Sequence, residues 1–314
     1  MITKLNYLCY GVYNKFMQKF HLFEKATSTM GRYGGKLFLY EQECNDKIID
    51  LLQKDAPFMV ARYGANELAI MRQAEEKQLG IRKNILPSLL DQFCNNAGFF
   101  PMSEEYAMYF FELMKESTVS VDMLGIWYNP MENYFIKAYG KDMLVAPLTG
   151  LEPWYHVNPW SKALEGKKVL IIHPFAETIR KQYENRDKIW HDNLLPEMSL
   201  YTLKAVQTIA GEKDDRVRDW FQAVEYMFSE AMKIDFEVAI LGCGAYGFPL
   251  AAKIKQQGKQ AIHLGGATQL LFGIKGKRWD DMPEIAKFYN DYWVRPNENE
   301  TVKNNGSIEN GCYW

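Results

Sequence analysis

The chain has 314 residues, of which 47% are hydrophobic and 24% charged, and its formal net charge is −2 at pH 7. This length suits one large α/β domain or two moderate ones, and the apolar fraction can form a substantial core. The balanced charge without a long basic block argues against a nucleic-acid-binding protein. The five cysteines are scattered without a CxxC pair, which argues against a disulfide framework or a zinc site and predicts a reducing compartment.

Residues 1–35 form a predicted amphipathic extension. It lacks the apolar core of a signal peptide, and no run of the chain reaches the roughly 18 apolar residues of a spanning helix, so we expect a cytoplasmic protein. Apolar residues recur at helical spacing with lysines between them: Leu5, Leu8, Val12, Phe16, Phe20 and Phe23, with Lys4, Lys15, Lys19 and Lys25. Such a helix suits the inner face of the cell membrane, or packing on its own domain or on a partner subunit of a homo-oligomer.

Residues 36–295 form a predicted α/β domain, whose halves meet near 147–166 in a loop rich in Pro, Trp and Tyr. Predicted strands lie near 57–64, 120–127, 143–147, 167–173, 238–241 and 260–264, and predicted helices near 37–52, 66 onward, 84–116, 177–190, 200–210, 216–233 and 248–257. This alternation predicts a mostly parallel Rossmann-like sheet covered by helices on both faces. Residues 296–314 form a polar C-terminal tail, which we expect to be loosely ordered.

The most informative motif follows the strand near 238–241. Gly242, Gly244 and Gly247 have a spacing that lets the backbone turn sharply and approach a phosphate, with the N–H groups of the next helix directed at it. We therefore expect a nucleotide site that includes Gly242, Gly244, Ala245, Tyr246, Gly247, His263, Gly265, Gly266, Thr268 and Gln269. The alternative is that the glycines only permit a tight strand-to-helix connection.

The dinucleotide form of this motif expects a carboxylate about 20 residues further on, at the end of the second strand. Residues 261–264 are Ala, Ile, His and Leu, and none of them is acidic. An NAD(P)-dependent oxidoreductase is therefore a weak interpretation.

Ligands of parallel sheets bind outside the carboxyl ends of the strands, so we expect four junctions to converge: 62–67, 173–177, 242–247 and 263–269. Arg62 ends an apolar strand and suits bidentate contact with phosphate, unless it forms an internal ion pair. Glu67 and His173 are candidate general bases. The alternatives are a favourable helix-dipole position for Glu67 and a structural role for His173. Lys275 could neutralise a diphosphate or belong to a solvated basic face.

The segment 62–67, Arg-Tyr-Gly-Ala-Asn-Glu, resembles the GT-D-type glycosyltransferases, which carry Arg-aromatic-Gly-Asp-Gly-Glu after an early strand. The unit 242–266 is similar to the strand–helix–strand unit near the end of that family. The resemblance implies a nucleotide-sugar site that includes Arg62, Gly64, Asn66 and Glu67. Ala65 stands where the family has Asp, which weakens the case for Mn²⁺ or Mg²⁺ on Glu67. Ala65 is also compatible with a metal-independent site or with a loss of catalysis.

Blocks at 95–101, 167–183 and 258–279 resemble uncharacterised proteins from bacterial surface-polysaccharide gene neighbourhoods. We therefore predict a glycosyltransferase that moves a sugar from a nucleotide-sugar donor to a glycan or lipid-linked acceptor in capsule or exopolysaccharide biosynthesis. The first alternative is a non-catalytic nucleotide-sugar-binding or assembly subunit, and the second is the oxidoreductase.

Overall fold

A computed structural model describes residues 3–308 and 311–314. Fifteen α-helices lie within these residues: α1 Lys4–Lys19, α2 Phe23–Met30, α3 Glu41–Gln53, α4 Ala65–Gln78, α5 Pro87–Ala97, α6 Glu104–Val119, α7 Glu132–Tyr139, α8 Leu148–Leu151, α9 Ala176–Tyr183, α10 Arg186–Ile189, α11 Trp220–Met232, α12 Gly247–Gln256, α13 Ala267–Leu271, α14 Lys277–Asp280 and α15 Pro283–Ala286.

The same residues contain nine strands: β1 Arg32–Tyr33, β2 Lys36–Leu37, β3 Phe58–Arg62, β4 Met123–Ile126, β5 Leu144–Pro147, β6 Lys168–His173, β7 Ser199–Lys204, β8 Val238–Leu241 and β9 Gln260–His263. The first two form a small antiparallel pair, and the other seven form one sheet in the order β5-β4-β3-β9-β8-β6-β7. Every pairing within the seven-stranded sheet is parallel, as predicted.

Helices cover both faces of the sheet because its central strands are apolar on both sides. Met59 and Ala61 of β3 belong to one hydrophobic cluster, with α4, α6, α11 and α12. Phe58 and Val60 belong to the cluster on the other face, with α3, α9 and α13. This alternation along one strand is the pattern expected of a sheet buried on both faces. The Rossmann-like α/β prediction is confirmed.

The N-terminal segment packs on this domain by the face of α1 opposite to the apolar stripe. Tyr7, Asn14 and Met17 of α1 are buried, and Phe23, at the start of α2, is buried as well. The Tyr7 hydroxyl contacts the Glu76 carboxylate at 3.2 Å. Apart from Phe23, the apolar stripe predicted for this segment is exposed.

Two further segments differ from the sequence-based expectations. The predicted helix at 200–210 begins instead as strand β7, which pairs with β6 from Ser199 to Lys204. Backbone pairing at the sheet edge outweighs the helical spacing of its apolar residues. The polar tail packs against the domain, because the buried Glu300 carboxylate accepts hydrogen bonds from the N–H groups of Glu177 and Thr178. A carboxylate at this position satisfies the free N–H groups at the start of α9.

Candidate functional site

A pocket of about 180 Å³ lies at the carboxyl ends of four adjacent strands, β3, β9, β8 and β6. The four junctions that the sequence predicts to converge all contribute to it. The predicted residues that line the pocket are Arg62, Gly64, Asn66, Glu67, His173, Gly242, Gly244, Ala245, Tyr246, His263, Gly265, Gly266 and Gln269. The order of the strands explains this convergence, because β9 and β8 are inserted between β3 and β6.

One cationic side chain of the pocket, Arg62, is held by an aromatic ring. Arg62 ends β3, and its guanidinium carbon lies 4.6 Å from the centre of the Trp127 ring. Within the part of the chain that the structure describes, no carboxylate is at salt-bridge distance from Arg62. Burial lowers the pKa of Arg62, whereas the nearby Glu152 and Glu67 favour its charged form. Arg62 is therefore a stacked guanidinium whose hydrogen-bond donors are not used by an internal ion pair.

The position of Trp127 depends on a buried carboxylate. Trp127 donates its indole N–H to the Tyr63 carbonyl at 3.0 Å. The backbone N–H groups of Trp127 and Tyr128 donate to Oε2 of Glu132, at 3.3 and 2.9 Å. Burial raises the pKa of Glu132 to about 7, and those N–H groups oppose the shift. Glu132 thus fixes the loop that places Trp127 over Arg62.

Glu67 is the third residue of α4, and its side chain folds back over the N-cap residue Gly64. A Cβ at Gly64 would lie 1.9 Å from Oε2 of Glu67, so only glycine leaves room for this conformation. Burial raises the pKa of Glu67, while its own backbone N–H and the Arg62 charge oppose the shift. A carboxylate with a raised pKa in a pocket is suited to accept a proton.

His173 ends β6 and is almost fully buried. Its Nδ1 accepts a hydrogen bond from the Phe175 N–H at 2.9 Å, which assigns the ring proton of the neutral form to Nε2. Burial lowers the pKa of His173 to about 3. In this state His173 is a hydrogen-bond donor toward a ligand, and Glu67 is the more suitable acceptor of a proton.

The glycine-rich turn after β8 is shaped by the two histidines. A Cβ at Gly242 would lie 2.4 Å from Cδ2 of His173, and one at Gly247 would lie 2.4 Å from Cδ2 of His263. Gly244 has a φ of +58°, which favours glycine. A 3₁₀ turn, Gly244–Tyr246, leads directly into α12, so the first N–H groups of this helical segment have no partner within it. Free N–H groups at such a helix start are the kind of donor that suits an anion.

His263 ends β9 at the back of this turn. Burial lowers its pKa to about 3, and the Arg62 charge acts in the same direction. Within the described residues neither buried ring nitrogen has a partner in good hydrogen-bond geometry, and the backbone groups of Arg62 and Gly244 beside the ring only partly oppose the pKa shift. His263 therefore contributes a neutral ring where a dinucleotide-binding site would hold a carboxylate.

Three of the predicted binding residues lie outside the pocket lining. Gly247 and Thr268 lie behind it, where the Thr268 side chain packs against Gly242. Lys275 lies over the Tyr289 ring, 5.1 Å from its centre. Gln269 lines the pocket, but its amide donates to three backbone carbonyls, of Ile274, Lys275 and Tyr313, and so serves to hold the chain after β9.

Several lining residues were not among the predicted site residues. They are Ala65, Asn96, Ala97, Trp127, Pro174, Phe175, Val206, Gln207, Thr208, Ile209, Cys243, Arg278 and Tyr313. The segment at 206–209 follows β7, the strand that the sequence did not reveal. Arg278 and Tyr313 reach the pocket because the chain end packs back on the loop after β9, and the Arg278 guanidinium lies over the Tyr313 ring. Among these residues, only Arg278, as a cation, and Trp127, as a large aromatic, have a side-chain type that suggests a binding site from the sequence.

The pocket does not provide the ligands of a tightly held divalent cation. Glu67 is the one carboxylate among its described lining residues. No group of three or more His, Cys, Asp and Glu side chains in residues 3–308 and 311–314 is arranged to hold a metal. Mg²⁺ and Mn²⁺ prefer anionic oxygens, and the Arg62 cation acts on the one carboxylate of this pocket. A divalent cation here would therefore depend on Glu67 together with diphosphate oxygens of a bound donor.

No helix within the described residues is both long enough and apolar enough to cross a membrane. No protein-family model matches the chain, and no curated protein does either.

Two solved structures of the domain of unknown function 1792 align with the chain. A selenomethionine-substituted form covers 74% of this chain and 79% of its own, at 14% identity and a TM-score of 0.43. The other covers 76% and 81%, at 16% identity and a TM-score of 0.41, and is described as having a distinct glycosyltransferase fold.

Proposed function

We propose that this protein is a glycosyltransferase that uses a nucleotide-sugar donor. The observation that carries the proposal is the pairing, in one pocket, of Arg62 and Glu67 with the glycine-rich turn at 242–246. A diphosphate leaving group needs positive charge and N–H donors, and an acceptor hydroxyl needs a base. The pocket offers both kinds of group without a bound metal.

The transfer step can be written with these residues. The bond between the sugar C1 and the diphosphate oxygen breaks, and a bond forms between C1 and the acceptor oxygen. The acceptor proton passes to Glu67, whose raised pKa favours protonation. Arg62 and the N–H groups at Gly244 and Ala245 take up the negative charge of the departing diphosphate. Trp127, 39% exposed, offers an aromatic surface for the sugar ring.

The acceptor class that fits the resemblance is a growing glycan or a lipid-linked sugar, as in capsule or exopolysaccharide assembly. We include metal independence in the proposal, since the pocket has a single described carboxylate with a cation beside it. The oxidoreductase alternative loses further support, because His263 occupies the end of β9, where a carboxylate would hold the ribose hydroxyls.

A non-catalytic nucleotide-sugar-binding subunit is the second candidate, favoured by the presence of Ala65 and the single carboxylate. Release of nucleoside diphosphate from UDP- and GDP-sugars, with and without an acceptor glycan, separates the two candidates. The transferase predicts release that Glu67→Gln abolishes. A donor that binds to wild-type protein but is never consumed would assign the chain to the binding class.

A further inference from the structure

Helix α1 presents its apolar stripe to solvent. Leu5, Val12 and Phe16 are 69%, 71% and 55% exposed, and Leu8 and Phe20 are 44% and 53% exposed. Tyr13 is exposed beside them, so six of the nineteen exposed large apolar side chains in the described residues lie within 5–20. At 100° per residue these positions form one continuous face. Single exposed apolar side chains are ordinary, but a continuous apolar helix face indicates a surface for a partner.

The opposite face of α1 holds the helix on the domain. Tyr7, Asn14 and Met17 are buried there, and the Asn14 amide donates to Asn133 at 2.9 Å. The side-chain Oδ1 of Asn14 accepts a hydrogen bond from the Met131 N–H at 3.0 Å. Because the inner face is already satisfied, rotating the helix to bury the stripe would break these contacts. The outer face therefore remains available without any rearrangement of the fold.

The charges around the stripe indicate what covers it. Residues 3–30 contain four lysines and one acidic residue, Glu24, whereas the whole chain has a net charge of −2. Lys4, Lys15, Lys19 and Lys25 are all exposed. At 100° per residue Lys4 and Lys15 flank the stripe beside Leu8, and Lys19 lies at its margin between Leu8 and Val12. A basic flank beside an apolar face complements an anionic lipid surface, where the apolar side chains enter the headgroup boundary and the lysines contact the headgroups.

We propose that α1 is an interfacial helix that docks the folded protein on an anionic membrane surface. The apolar stripe Leu5, Leu8, Val12, Phe16 and Phe20 lies in the lipid boundary, and the lysines bind anionic headgroups. The helix lies on the surface and does not span the bilayer. This inference does not depend on the proposed catalytic function, because its contacts involve none of the described pocket residues.

Vesicle binding of the full chain tests the proposal. Co-sedimentation with phosphatidylserine-containing vesicles is compared with phosphatidylcholine vesicles, without any nucleotide. We expect binding to the anionic vesicles that Leu8→Ser/Val12→Ser/Phe16→Ser abolishes. Lys15→Glu/Lys19→Glu should weaken it at least about fivefold per lysine. The matched controls change exposed residues elsewhere: Met102→Ser/Tyr109→Ser/Val119→Ser, and Lys54→Glu/Lys141→Glu. Both controls should bind like the wild-type protein.

A probe on the helix gives a second readout that needs no disruptive variant. Of the five cysteines, all in described residues, Cys9 is the exposed one, and its helical position lies on the stripe. A polarity-sensitive fluorophore on Cys9 should shift to shorter wavelength with anionic vesicles and stay unchanged with neutral ones. No shift together with no sedimentation would overturn the proposal. So would a wild-type dimer that the apolar triple variant dissociates, because a second copy would then cover the stripe.

Discussion

The two walls of the pocket carry charge in different ways. The wall from β3 and α4 holds an ionisable pair, Arg62 and Glu67, with the cation stacked on Trp127. The wall from β6, β8 and β9 holds glycines and two neutral histidines, His173 and His263. The first wall can neutralise charge and accept a proton, whereas the second offers close backbone approach and N–H donors. We therefore expect mutations in the first wall to act through charge and mutations in the second to act through shape.

The largest expected effect is on the charged wall. Glu67→Gln keeps the shape of the side chain but removes the base, so we expect kcat to fall by about 10²- to 10⁴-fold with donor affinity nearly unchanged. Glu116→Gln, at an exposed site on α6, is the matched control and should retain full activity. Equal activity of the two variants would exclude Glu67 as the base.

The pH dependence of any transferase activity of the wild-type protein sharpens this assignment. A base must be ionised, so activity is lost as pH falls through the pKa of Glu67. Burial raises that pKa, so the acid limb of kcat/KM should lie above the ordinary glutamate value of about 4.3. A limb at or below that value would contradict the assignment.

Arg62→Met tests the other member of the pair. Loss of charge-assisted hydrogen bonds of about 1.5–3 kcal/mol should weaken donor binding on the order of 10- to 100-fold. Arg62→Lys should not restore it fully, because lysine lacks the planar stacked group that Trp127 holds. Calorimetric titration with a nucleotide sugar measures the effect, and Arg180→Met, at an exposed position on α9, is the control. If Arg62→Met binds the donor with unchanged affinity, the diphosphate does not contact Arg62.

The glycine wall should respond through shape rather than charge. In Gly242→Ala the new methyl would lie 2.4 Å from the His173 ring and 2.6 Å from Thr268, which we expect to destabilise the fold by about 1–3 kcal/mol. Gly11→Ala, in α1, meets no atom within 4 Å and should be neutral or stabilising. Urea unfolding compares the two variants. If Gly242→Ala had the same free energy of unfolding as the wild-type protein, the close approach of Gly242 to His173 and Thr268 would not be required for stability.

The smallest effect concerns the buried histidines. The pKa of His263 is about 3 in the folded chain and about 6.5 when unfolded, so between these values the unfolded state binds more protons. Its contribution to stability is therefore present above about pH 6.5 and is lost as pH falls, by about 1.4 kcal/mol per pH unit. Glu132, with a raised pKa of about 7, acts in the opposite sense. The difference in the free energy of unfolding between wild-type protein and His263→Gln isolates the contribution of His263.

Urea unfolding at several pH values gives that difference. As the pH falls from 7 to 5, we expect the free energy of unfolding of His263→Gln to rise relative to that of the wild-type protein. A difference that does not change with pH would show that His263 is not held neutral.

Sequence alone was sufficient for those parts of the site that follow from strand ends. Apolar runs ending in Arg62, His173 and His263 predicted both the parallel strands and the residues at their mouths. Strand β7 was missed because it is stabilised by pairing with β6, and its own sequence pattern does not distinguish it from a helix. The segment 206–209, which lines the pocket after β7, was missed with it.

Long-range packing accounts for the other differences. Arg278 and Tyr313 join the pocket through contacts between distant parts of the chain, which no local pattern reports. The stripe of α1 had the right period, but its orientation depended on buried polar contacts such as Asn14 with Asn133. A hydrophobic period identifies a face of a helix and leaves its partner undetermined.

The most direct test of the central claim is a thermal-shift panel of the full chain with UDP-sugars, GDP-sugars, other nucleotide sugars and NAD(P)H, each with and without Mn²⁺. A ligand at 100 times its Kd stabilises the fold by about 2.7 kcal/mol. We expect a shift with at least one nucleotide sugar, independent of Mn²⁺ and lost in Arg62→Met. A shift with NAD(P)H alone, or no shift with any nucleotide sugar, would contradict it.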